Sequence, residues 1–150
     1  MFEIKIETIG KLNKRDKEDF SAIDAIETIY NFPEDKVVFK WGKIEFTAFL
    51  SGDISDSWFD ILGLMRNLNS EKKEFSMQFP SQTFWYYWEF KEVEKGFWQI
   101  EAFWSFEKKK KIKVAKDILK KEFQKLIKMV ESDLKKQNYI LEEFREYSKK

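Results

Sequence analysis

Carboxylates are the side chains in this sequence whose number and clustering first suggest chemistry. Asp53, Asp56 and Asp60 lie close together in the stretch from Ser51 to Asp60 and could hold a hard cation. A calcium loop begun at Asp53 needs Gly at its sixth place and Glu at its twelfth, where this chain has Trp58 and Leu64. Capping and dipole effects at a helix start account for these acids without a metal. Glu89, Glu92, Glu101 and Asp60 could supply the paired acids of a glycoside hydrolase, which need stand only about 5 Å apart in a retaining enzyme. With 27 acidic residues in the chain, such pairs also arise by chance.

The missing residue types exclude more than the present ones suggest. No cysteine and no histidine occurs. Their absence removes disulfides, thiol nucleophiles, ordinary structural zinc sites and the Ser-His-Asp arrangement. No two of the five glycines are spaced as a phosphate-cradling loop requires. An enzyme of a common class is therefore not expected, and neither is a cofactor.

The 28 basic and 27 acidic residues balance to a formal charge of +1, so no global field draws the chain to nucleic acid or an anionic membrane. The one charge run, Lys108 to Lys111, reads as a solvated hinge. The amino terminus alternates charged and apolar residues where a secretion signal needs a continuous apolar stretch, and no apolar segment is long enough to span a bilayer. The expectation is a cytoplasmic protein without a membrane partner.

Aromatic residues make up 18% of the chain, and they gather most densely in Thr83 to Phe90. Alternation puts Phe84, Tyr86, Trp88 and Phe90 on one face of a strand and Trp85 and Tyr87 on the other. In the return strand, Trp98, Ile100, Ala102, Trp104 and Phe106 share the core face, which leaves Phe97 and Phe103 on the outer one. A sheet covered on one side should be polar on the other. Trp85, Tyr87, Phe97 and Phe103 thus form a candidate partner-binding set, with an intramolecular cover, a second protein or a ligand as the alternatives. Ring stacking on single-stranded bases is not favoured, because Glu89, Glu92, Glu94 and Glu101 surround the rings.

The elements that would position this set follow from periodicity. Phe2 to Ile9 alternates as a half-buried strand, and Gly10 with the polar stretch Lys11 to Asp19 reads as a solvated loop. Phe20 to Phe32 fits helix or strand, with helix favoured, and Pro33 ends it either way. Val37 to Trp41 and Ile44 to Leu50 form a hairpin turning at Gly42. Ser57 caps a helix whose stripe is Trp58, Ile61, Leu62, Met65 and Leu68. Glu74 to Phe79, Thr83 to Val93 and Phe97 to Phe106 are strands. A long helix then starts near Ala115 or Asp117 and breaks between Lys135 and Asn138.

The sum is a single α+β domain over residues 1–150, an antiparallel sheet of about five to six strands with a short amphipathic helix and a long carboxy-terminal helix packed on it. In element order, in the aromatic hairpin Phe84 to Phe106 and in its lysine-rich terminal helix, the chain resembles the small immunity proteins of bacterial polymorphic toxin systems. The resemblance implies a non-catalytic, stoichiometric inhibitor that acts by binding a toxin. The alternative is a small hydrophobic ligand-binding protein with a helix-grip-like aromatic pocket. Self-association is compatible with both.

Overall fold

Seven strands and three α-helices are present among residues 2–79, 87–103 and 109–147, which are those described by the computed structural model. Strands β1 (Phe2–Glu7), β2 (Lys36–Trp41) and β3 (Ile44–Phe49) form one antiparallel sheet, sheet A. Strands β4 (Glu74–Gln78), β5 (Tyr87–Glu94), β6 (Phe97–Phe103) and β7 (Lys109–Ala115) form a second, sheet B, in simple sequential order. The expected single sheet of five to six strands is thus corrected to two sheets of three and four. Alternation along one strand fixes which side chains share a face but not which strands hydrogen-bond, so the division is invisible in the periodicity.

Helix α1 (Ala22–Ile29) occupies the segment that fitted both helix and strand. The N-cap Ser21 accepts the Asp24 N–H at 3.2 Å, and the carboxylate of distant Glu146 accepts the Ala22 N–H at 3.2 Å. Helix α2 (Trp58–Leu68) lies where its stripe placed it, but Ser57 is not its side-chain cap. The Ser57 hydroxyl instead donates back to the Asp53 carbonyl at 2.7 Å, tying α2 to the turn Leu50–Ile54 before it.

The long helix α3 (Lys116–Lys136) begins and ends where expected. Asn138, at φ 69°, sits in the left-handed region, and the bonds Tyr139 N–H to Leu134 O and Asn138 N–H to Lys135 O close a Schellman motif. Glycine adopts that conformation with no Cβ penalty. Asn138→Gly is accordingly expected to raise stability by about 0.5–1 kcal/mol, read as a higher urea midpoint with an unchanged slope.

The lysine run is a correction. Lys109 to Lys111 open β7, and the alternation of exposed Lys111 and Lys113 with inward Ile112 and Val114 is that of a strand. A lysine-rich edge strand resists pairing with other chains, which explains the composition better than a hinge does. Lys108 lies outside the described residues.

One core joins both sheets and α3. The Trp88 ring of sheet B meets Trp41 edge-on at 4.8 Å, Phe39 at 5.8 Å and Phe2 at 6.5 Å, all on sheet A. Phe123 of α3 stacks on Phe2 at 5.7 Å and lies 6.2 Å from Trp88. Edge-on and offset contacts of this kind add to what area burial alone provides. Along α3, Leu119, Phe123, Leu126, Val130 and Leu134 are fully buried. No helix among the described residues is long and apolar enough to cross a membrane.

The polar loop after β1 is not simply solvated. Tyr139 donates its hydroxyl proton to Asp19 at 2.6 Å and accepts the Asp16 N–H at 3.1 Å. Arg15 donates to the Asn138 carbonyl at 2.8 Å, and Gln137 donates to Asn13 O at 2.6 Å. Residues 13–19 are thereby stapled to the end of α3. Burial, aided by the hydrogen bond to Asp19, pushes the Tyr139 hydroxyl up to about 12.

Candidate protein-docking face

Sheet B turns Trp88, Phe90, Trp98, Ile100 and Ala102 to the core and a chemically mixed face outward. Register arranges that outer face in rows across the strands. Tyr87 stands opposite Phe103 at one end, Glu89 opposite Glu101 in the next row, and Lys91 opposite Gln99 beyond that. On β7, Lys111 stands opposite Glu101 and Lys113 opposite Gln99.

The aromatic row is a true pair, because the half-buried Tyr87 and Phe103 rings lie 5.7 Å apart, tilted by 53°. Beside it, two carboxylates face each other directly, an arrangement that is destabilising in isolation. Lys111 sits 3.6 Å from Glu101 and compensates one of the two charges. A concavity of about 270 Å³ lies over these rows, lined by Tyr87, Glu89, Lys91, Gln99, Glu101 and Ser76 among others. It combines an apolar wall, acceptors and a cation, which suits amphipathic protein side chains.

Of the four residues named from sequence, the fold brings Tyr87 and Phe103 together. Phe97 lies at the far end of β6, roughly 20 Å along the strand. It is 41% exposed and carries the Lys113 ammonium 5.2 Å above its ring. Trp85, with Phe84 and Tyr86, lies outside the described residues. Lys111 was missed as a member of this face because the lysine run read as a hinge. The alternation from Lys111 to Val114 was the signal that places it.

The other acids find structural partners. Asp53 is buried and accepts the Phe49 N–H at 2.9 Å, closing the turn into α2. Burial raises the carboxyl of half-buried Asp60, while the exposed Asp56 lies beside the Glu27 carboxyl and helps to raise it. Glu92 stands opposite Trp98, away from the Glu89–Glu101 row. Comparison with protein-family models, with curated proteins and with solved structures finds no match for this chain.

Proposed function

We propose that this chain is a non-catalytic protein-binding domain, an immunity-type inhibitor of a bacterial toxin, and that it grips its partner with the outer face of sheet B. The observation that carries the reading is the Tyr87–Phe103 ring pair, held on the solvent side of a sheet whose other side is already packed. Rigid aromatic anchors within a mixed-charge rim match the anatomy of interface hot spots. Phe97 with Lys113 supplies a second, peripheral anchor.

The alternative, a small-ligand pocket of the helix-grip kind, has less support. Ring contacts between 4.8 and 6.5 Å take up the space between the sheets, as around Trp88. The concavity beside Tyr87 is lined mainly by charged and polar side chains instead.

The test is to find whether a toxin-like reading frame is encoded beside this chain's and, where one is, to titrate its purified product by calorimetry. Wild-type chain is expected to bind one to one, Tyr87→Ala and Phe103→Ala about tenfold or more weakly, and Phe97→Ala less so. Binding unaffected by Tyr87→Ala and Phe103→Ala would remove this face, and the absence of any binding would remove the reading.

A further inference from the structure

The edges of the two sheets are not equally protected. On β1 the Ile4 N–H, which points away from β2, is taken at 2.8 Å by the buried Glu122 carboxylate of α3. Edge strand β7 carries Lys110, Lys111 and Lys113, which oppose pairing with another chain. Edge strand β3, Ile-Glu-Phe-Thr-Ala-Phe, has one charge and no proline.

Hydrogen-bond parity shows what β3 offers. The β2–β3 hairpin turns through two residues, Gly42 at φ 62° and Lys43, with Trp41 opposite Ile44. The pair flanking a two-residue turn exchanges both of its backbone hydrogen bonds, so Ile44, Phe46 and Ala48 direct their N–H and C=O groups at β2. Glu45, Thr47 and Phe49 then direct theirs outward. The outward Ile4 N–H fixes the same parity from the other side of sheet A. The Phe49 N–H is already taken by Asp53. Glu45 and Thr47 are exposed, and their backbone groups have no hydrogen-bond partner among the described residues.

We propose that β3 pairs antiparallel with β3 of a second copy of this chain, in register about Phe46, joining two three-stranded sheets into one of six. Every two-fold register centred on a residue keeps inward residues opposite inward residues, and three of these centre on the stretch Glu45–Thr47 that carries the outward groups. Centring on Glu45 sets two carboxylates face to face. Centring on Thr47 requires the Phe49 N–H that Asp53 holds. Centring on Phe46 uses only the open groups, giving four main-chain hydrogen bonds between Glu45 of each copy and Thr47 of the other. It also opposes Ile44 to Ala48, a large residue to a small one.

The two Phe46 residues then form a non-hydrogen-bonded pair, the closer kind, with Cα atoms about 4.5 Å apart. Phe46 is half-buried and already stacks flat on Phe39 at 5.1 Å with an interplanar angle of 1°. The dimer extends that stack into a four-ring row. Its contact is isologous, so it closes at two copies and leaves the outer face of sheet B free.

Sedimentation equilibrium from low micromolar to about 1 mM protein tests this pairing. Wild-type chain is expected to approach twice its 18.3 kDa mass. Thr47→Glu sets two like-charge pairs against Glu45 and should weaken the dimer about tenfold or more, whereas Thr47→Lys should leave it as tight or tighter. Thr47→Pro removes an outward N–H that the fold does not use and should give a monomer with an unchanged near-ultraviolet spectrum. If that variant does not fold, the Glu and Lys pair decides alone. A wild type that stays monomeric throughout, a dimer indifferent to Thr47→Glu, or one weakened equally by Thr47→Lys overturns the proposal.

Discussion

Trp88→Ala is expected to remove about 3–5 kcal/mol of stability, the largest single effect in this chain. Trp88 is fully buried, and its ring touches both sheets and α3 through Trp41, Phe39, Phe2, Phe79 and Phe123. Removing it leaves a cavity that cannot collapse from one side, because its walls belong to separate elements. Domains of this size have only about 5–15 kcal/mol in total, so the variant should sit near its unfolding midpoint in little or no urea. A cooperative transition shifted by less than about 1 kcal/mol would show that the sheets pack independently of this ring.

The second large effect is expected at Glu122. Its carboxylate is buried, accepts the Ile4 N–H at 2.8 Å and pairs with Lys125 at 2.8 Å. Glu122→Ala leaves the fully buried Ile4 amide without its acceptor, which costs about 1–3 kcal/mol beyond the lost packing of the side chain. Glu122→Gln keeps an acceptor oxygen and should lose less at neutral pH.

Acid distinguishes the contribution of the Glu122 charge from that of its packing. Burial alone would raise the Glu122 carboxyl, but the hydrogen bonds from Lys125 and Ile4, with the charges of Lys125 and Lys121, bring it below its ordinary value. A folded value below the unfolded one means that the charge stabilises the fold above the unfolded value of about 4.5 and that this contribution is lost as pH falls further. Wild type and Glu122→Gln should therefore converge in urea midpoint as the pH falls below 4.5, while a constant gap would place the stabilisation in packing and not in charge.

Several elements were legible in the sequence because their signal is local. Phe2, Ile4 and Ile6 alternate with charges, and β1 is a strand. Leu119, Phe123, Leu126, Val130 and Leu134 recur at helical spacing, and α3 buries that stripe. Asn138 marks the helix end through a backbone conformation that few other residues tolerate. The lysine run misled because a solvated hinge and an edge strand have the same composition and differ only in pairing. Ser57 misled because its hydroxyl donates to the Asp53 carbonyl and does not accept from the free amides of α2.

The candidate face was half legible. Alternation put Tyr87, Phe97 and Phe103 on the outer side, yet only the β5–β6 register decided that Tyr87 and Phe103 meet while Phe97 stands apart. The same register brought Glu89 opposite Glu101 and set Lys111 beside them.

By itself the sequence determined the class of the strongly periodic elements, such as β1, α2 and α3, and the side of β5 and β6 that turns inward, since both follow from periods of two and 3.6 residues along a single stretch of chain. The tertiary structure alone decided that the strands divide into two sheets, that Trp88 is where they meet, and that Glu45 and Thr47 of β3 keep backbone groups without a partner among the described residues. Those outcomes depend on which distant segments pair, a choice made by the summed packing of the core and not by any one segment's pattern.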